Sequence, residues 1–270
     1  MRLWLGLAAL VIGVLGLGAA ISADTVPATG GVIELTPMAH AHVQIEFAGK
    51  VIHVDPSGQA DFSKAKPADV VLVTDIHGDH MDVPAIDRVR KTGTVYVAPG
   101  ALADRFPGPT TLLANGDTKM VAGISIQAVA AYNLTRGPAP GQFYHTKGRG
   151  NAYVLTLGGK KILLTGDTEC TPEIKALTGI EVAFVAMNLP FTMTPQEAAD
   201  CMKAVKPATV YAYHYRQQGL DPADKNQKDF IAAMQGTAGV EVKASDFYPP
   251  PATAGAGRGG RQGGGGRGGE

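Results

Sequence analysis

Cysteine is scarce in this chain of 270 residues, which contains only Cys170 and Cys201. Two cysteines so far apart make no zinc-knuckle spacing, which excludes a structural zinc ribbon. In an oxidising compartment the two could pair, provided the fold brings their Cα atoms within about 7 Å. An excess of charge is missing too, since 24 lysines and arginines face 24 aspartates and glutamates. Nothing in that balance points to nucleic acid as a partner.

Neither end has the composition of a globular domain. Arg2 precedes an apolar and glycine run from Leu3 to Ala20, with small residues through Ala23. That layout predicts a secretory signal peptide over residues 1–23. An uncleaved membrane anchor is the alternative, because the run approaches the length of a membrane span. No cysteine follows the run, which argues against a lipid-modified mature N-terminus. The expectation is export, periplasmic or secreted, with no membrane contact after cleavage. Residues 249–270 are proline and then glycine with Arg258, Arg261 and Arg267. Without large apolar side chains to offset the entropy of ordering, they predict a disordered tail. Residues 24–248 remain, enough for one domain with a sizeable core and too few for two typical ones.

Within that span, short β-rich runs alternate with turn signals, and helical patterns join them later. Strands are predicted at 31–35, 43–47, 51–55, 70–74, 94–98, 124–130, 152–157, 161–165, 182–186 and 209–213. Thr194-Pro195-Gln196-Glu197 is a capping box with proline at the first helical position, predicting a helix to about Val205. Thr171-Pro172-Glu173 opens a shorter helix in the same way, Asp82 caps one through Val89, and residues 222–234 form a last amphipathic helix. Such a mixture predicts a layered α/β or α+β domain. Val43 to Pro56 is also similar to Tyr153 to Thr168: each is an alternating strand, a Gly-Lys hairpin, an apolar strand and then an aspartate, Asp55 or Asp167. The repeat predicts two related halves.

The densest chemistry lies in Val71-Leu-Val-Thr-Asp75-Ile-His77-Gly-Asp79-His80. An apolar strand runs straight into four metal-capable side chains, where a strand-to-loop transition lets them converge. The spacing lets one subset face one ion while Asp79 and His80 face a second. Further candidates follow at His145, Asp167 and His214.

These residues resemble the His-x-His-x-Asp-His signature of the metallo-β-lactamase superfamily, with Asp75 where the first histidine is usual. The later motifs come in the superfamily's order: His145 in Phe143-Tyr-His-Thr, Asp167 in Leu164-Thr-Gly-Asp, and His214 in Tyr211-Ala-Tyr-His. Asn133 is the other occupant considered for the third motif. The opening His40-Ala, the Val-Asp55-Pro and the Thr194-Pro helix start look closest to the ascorbate-6-phosphate lactonase-like branch. The resemblance implies an α+β fold, a four-layer αββα sandwich of two related halves with the metal site at one edge of the sheets. It implies Asp75, His77 and His145 as ligands of one metal, Asp79, His80 and His214 of another, and Asp167 as the bridge. Asp79 would also be catalytic, orienting the attacking hydroxide.

Two divalent ions are therefore expected as cofactors, zinc first, with manganese or iron as alternatives that the harder oxygen ligand at position 75 favours. A water bridging two such ions has its pKa lowered from 15.7 to roughly 7, which makes a hydroxide nucleophile available. No serine, cysteine or lysine nucleophile is required. The expected substrate is a small, anionic ester, lactone or phosphoester, with Lys147, Arg149 and Asn188 as candidate substrate-binding residues. An iron-dependent redox enzyme of the same fold, or a metal- or ligand-binding protein without turnover, are the competing readings; no flavin-binding appendage is visible to feed the former. His40 is read as a cleft-rim or a buried histidine, His42 and His53 as packing or surface residues, and Asp55 as a structural carboxylate. Tyr144, Tyr213 and Tyr215 are read as packing around the site.

Overall fold

The computed structural model describes residues 23–216 and 225–248. Residues 1–22 of the expected signal peptide and the Gly/Arg tail lie outside the described residues. Alternation along the strands sets the architecture. In β5 (Ala68–Leu72), Val70 and Leu72 belong to the large central core, whereas Ala68 and Val71 pack with Ile86 and Val89 of α1 (Val83–Val89). A strand covered on both faces reads as a continuous apolar run, and this one does. The central core joins residues of both sheets, such as Ile45, Ile52 and Val97 from one and Ile126, Val154 and Ile162 from the other. Ala198, Met202 and Phe230, on the helices outside the second sheet, complete it. The layers are helix, sheet, sheet, helix, as the resemblance implies.

Each sheet has seven strands, and the two are built alike. The first runs in the order β1 (Asp24–Ala28), β2 (Gly31–Ala39), β3 (His42–Phe47), β4 (Lys50–Val54), β5, β6 (Arg90–Pro99), β7 (Thr110–Leu113). The second runs β8 (Thr118–Val121), β9 (Ile124–Ala131), β10 (Gly150–Leu157), β11 (Lys160–Leu164), β12 (Ile180–Ala186), β13 (Thr209–Tyr213), β14 (Glu241–Lys243). Both begin with antiparallel pairs and turn parallel at the fourth strand, at β4–β5 and at β11–β12. The similar segments noticed in the sequence are β3–β4 and β10–β11, the same hairpin of each half.

All ten predicted strands are present. Four more, β1, β7, β8 and β14, lack a sequence signal because they are short strands at or beside a sheet edge, where half-exposed residues carry little apolar pattern. The helices start where the caps predict. Asp82 accepts from Ala85 N–H, Thr171 from Ile174 N–H, and Thr194 and Glu197 form the reciprocal box that opens α3 (Pro195–Val205). The short α2 (Pro172–Lys175) precedes it, and α4 spans Lys225–Met234. Cys170 and Cys201 form a disulfide with Cα atoms 5.7 Å apart, tying the loop after β11 to α3. Among the described residues no helix is long and apolar enough to cross a membrane.

Candidate metal centre

In both sheets the chain leaves a parallel strand at the same edge, and the polar residues gather there. Asp55 follows β4, residues 75–80 follow β5, Asp167 follows β11, Asn188 follows β12 and His214 follows β13. His40 joins them from the β2–β3 turn. His40, Asp55 and His214 have φ of 59°, 44° and 47°. Left-handed backbone at non-glycine residues costs energy, and three of the seven such positions among the described residues lie at this centre. Gly166 also has positive φ (59°), and a Cβ there would lie 2.9 Å from Thr74 Cβ, so only glycine lets the Asp167 turn pack beside the Asp75 loop.

Three groups of ligand atoms, each within 4.8 Å of one another, adjoin: Asp75, His77 and His145 in one, His80, Asp167 and His214 in the second, and His40, Asp79 and His214 in the third. Asp167 Oδ2 is 3.1 Å from His145 Nε2 and 3.4 Å from His80 Nε2, while its Oδ1 is 3.3 Å from His214 Nε2. Asp167 thus reaches from its own group to His145 of the first. Asp79 Oδ2 lies 3.4 Å from His214 Nε2, 3.9 Å from His80 Nε2 and 3.0 Å from His40 Nε2. All seven candidate ligands therefore converge, with His40 as an eighth residue at the same point.

Supporting residues fix which atoms face inward. Asp55, buried, accepts from His80 Nδ1 at 2.8 Å and from Thr74 N–H and Oγ1–H at 2.8 and 2.6 Å. That turns His80 Nε2 toward Asp167, and Asp55 takes the structural role expected of it. Asn133 is not a ligand: its Oδ1 accepts from the backbone N–H of His145 at 2.6 Å and lies 3.0 Å from His145 Nδ1. It presents Nε2 of His145 to the centre. Glu169 in turn holds Asn133 Nδ2 at 3.2 Å and accepts from the backbone N–H of Thr135 and Arg136. Sequence reading misses Glu169, although its place two residues after Asp167 is a signal.

The chemistry of this donor set fits divalent metal. Buried Nε2 of His145 and Oδ1 of Asp167 have no hydrogen-bond partner, and unpaired buried polar atoms are costly. Burial pushes the Asp79 and Asp167 carboxyls up. Hydrogen bonds from His214 and His40 to Asp79, and the charges of His214 and His80 beside Asp167, outweigh it and hold both well below the usual carboxylate range. Burial pushes His80 down, yet Asp167 and Asp55 raise it well above the ordinary histidine value. The centre thus demands positive charge, which a proton supplies only by blocking a ligand nitrogen and a divalent cation supplies without doing so.

Two expected substrate-binding residues have partners inside the protein. Lys147 does not reach the centre: it is exposed, pairs with Glu173 at 2.5 Å and sits over the Tyr132 ring. Arg149 is spent on Asp75, with Nη2 3.1 and 3.0 Å from the two carboxylate oxygens, and on the Tyr144 carbonyl at 2.7 Å. Asp75 also accepts from His77 N–H at 3.1 Å, so both its oxygens already have partners inside the protein. Asn188 does line the cleft, as expected, with its Oδ1 accepting from Thr192 Oγ1–H at 2.7 Å and its Nδ2 3.4 Å from His214 Nε2. The tyrosines pack: Tyr144 rests edge-on against Phe191, Tyr215 against Tyr248, and the Tyr213 hydroxyl accepts from Gly166 N–H. His42 and His53 are buried as a bonded pair away from the centre.

The centre opens into a cleft of about 510 Å³ lined by His40, Gln59, His77, Asp79, Asp167, Asn188, Phe191, His214 and Arg216. Comparison with known proteins matches this architecture. Residues 34–214 match the family model described as "Beta-lactamase superfamily domain". A UPF0173 metal-dependent hydrolase of Thermococcus onnurineus is 32% identical over 188 residues, 64% of this chain and 81% of that protein. The crystal structure described as "Putative metal-dependent hydrolase from Parabacteroides distasonis" superposes with a TM-score of 0.74 at 32% identity, covering 83% of this chain and 98% of that one. CmlA, a diiron β-hydroxylase from Streptomyces venezuelae, shares the fold alone, at TM-score 0.61 and 15% identity over 81% of this chain and 53% of its own. With the family matched over most of the domain and the ligand residues convergent, the chain belongs to the metallo-β-lactamase superfamily and is a metal-dependent hydrolase.

Proposed function

We propose that the chain is an exported hydrolase that holds two divalent ions, zinc foremost, and cleaves an ester, lactone or phosphoester bond in a small anionic molecule. The observation that carries this reading is the pair of adjoining ligand groups bridged by Asp167 at the floor of an open cleft. Asp75, His77 and His145 would hold one ion and Asp79, His80 and His214 the other. When bound, such ions lower the pKa of water and polarise a carbonyl or phosphoryl oxygen.

The protein's own groups then orient the reaction. Asp79 has its Oδ2 held by His40 and His214 and a side chain 42% exposed to the cleft, so it can accept a hydrogen bond from the attacking water and fix its direction. The Asn188 amide, anchored through Thr192, offers an N–H to a substrate oxygen that gains charge. His40 keeps Asp79 in place through Nε2 while Tyr248 holds its Nδ1 at 2.9 Å. Export is supported by the disulfide, which persists in oxidising compartments.

The test is a panel of nitrophenyl esters, lactones and phosphodiesters given to the zinc- and manganese-reconstituted protein. Turnover of one class, lost in Asp79→Asn, is expected. Full metal loading with no turnover of any class would remove the hydrolytic assignment of substrate.

A further inference from the structure

We infer that Arg216, stacked on Tyr248 at the cleft mouth, is the residue that recognises the substrate's anionic group, and that this group lies apart from the bond that is cut. The inference rests on the hydrolase reading above and specifies its substrate as a molecule with a carboxylate or phosphate at its far end.

Among the described residues, and apart from the histidines of the centre, Arg216 is the one basic side chain lining the cleft. It sits two residues beyond His214, so the strand that delivers a candidate ligand also delivers this cation. Its guanidinium carbon lies 4.5 Å from the centroid of the Tyr248 ring, and its backbone N–H donates to the Tyr248 hydroxyl at 3.3 Å. Stacking fixes the plane of the guanidinium and leaves its edge, with the N–H donors, free for bidentate bonds to an oxyanion.

The other basic residues near the site are committed. Arg149 is paired with Asp75, Lys147 with Glu173, and Arg136 with Glu197 at 2.6 Å and Glu169 at 3.6 Å. Arg216, which is exposed, forms no ion pair with a carboxylate among the described residues. Tyr248 also bonds His40, so the arginine's platform and the support of Asp79 are one residue, which fixes the anion site relative to the metal centre.

The experiment measures equilibrium binding by calorimetry to the zinc-reconstituted full chain, so it needs no turnover and stands apart from the substrate panel. The probes are succinate, glutarate and adipate, each against the monoacid of the same length, butyrate, valerate or hexanoate. One carboxylate can occupy the metal centre, and only the diacids have a second for Arg216. At least one diacid should bind about tenfold more tightly than its monoacid, the size of a single charge-assisted contact. Arg216→Gln should abolish that ratio and Arg216→Lys should restore part of it. A phosphonate analogue of glutarate, stronger or weaker than glutarate itself, distinguishes a phosphate from a carboxylate as the recognised group. No diacid preference in the wild type, or a preference unchanged in Arg216→Gln, overturns the inference.

Discussion

Asp55 and His80 lie 25 residues apart in sequence and share a buried bond of 2.8 Å between Oδ2 and Nδ1, each side chain fully withdrawn from solvent. A carboxylate behind a ligand histidine fixes its tautomer and strengthens its other nitrogen as a donor to metal, and removing such a partner typically costs about 10–100-fold in metal affinity. Asp55→Asn should show that loss by competition with a chromophoric chelator. Asparagine tolerates the left-handed backbone at this position, so the fold should persist. Unaltered affinity would mean that the carboxylate serves Thr74 alone.

The ligand groups predict about two ions per purified chain, measured by elemental analysis. His80→Ala or Asp167→Ala should remove at least one ion and nearly all hydrolysis. Unchanged metal content in both variants would sink the ligand assignment.

Asp75 and Arg149 form a largely buried ion pair, and removing one partner of such a pair leaves the other charge stranded, at about 3–5 kcal/mol when burial is complete. Arg149 is 19% exposed, so a smaller loss is expected for Asp75→Ala. The double change Asp75→Ala, Arg149→Met should recover part of it. Urea denaturation with and without chelator separates two roles for Asp75. A coupling that persists after chelation marks a structural pair, whereas one that changes on metal loading marks a ligand.

The His42–His53 pair gives the fold an acid sensitivity away from the metal centre. His53 donates from Nε2 to the Lys66 carbonyl at 2.8 Å, so its Nδ1 must accept from His42 Nε2, also at 2.8 Å, and both rings are neutral. Burial lowers His53 to about 4 and, with the charge of His53, takes His42 well below its ordinary 6.5. The unfolded chain therefore binds more protons than the native one once pH drops below about 6.5. The pair's contribution is complete above that value and is lost as pH falls toward 4. His42→Leu, His53→Gln should flatten the dependence of urea midpoint on pH between 7 and 4.5 relative to wild type; parallel curves would show that other groups carry it.

The disulfide closes a loop of 31 residues, which on the chain-entropy model is worth about 3–4 kcal/mol. Alkylation and mass spectrometry without reductant should find no free thiol in protein recovered from an oxidising compartment. Cys170→Ala, Cys201→Ala should unfold at lower urea by a comparable free energy. Two alkylated thiols in the wild type would reject the bridge.

By itself, the sequence determined the ten main strands, the capped helix starts, the related halves and the seven candidate ligands. These are local matters: period-two apolar runs, Thr-Pro caps, and carboxylates and imidazoles placed where a strand ends. The edge strands β1, β7, β8 and β14 were decided only by pairing, because exposed short segments gain their order from a neighbour and not from a pattern of their own. The tertiary structure also decided which charges find a partner among the described residues. Lys147 and Arg149 flank His145 in sequence, yet Glu173 and Asp75, brought in from distant elements, neutralise them. Arg216 is instead left at the cleft mouth because residue 248, far along the chain, returns to stack beneath it. A side chain's charge is written in the sequence, but whether a partner cancels it depends on long-range packing.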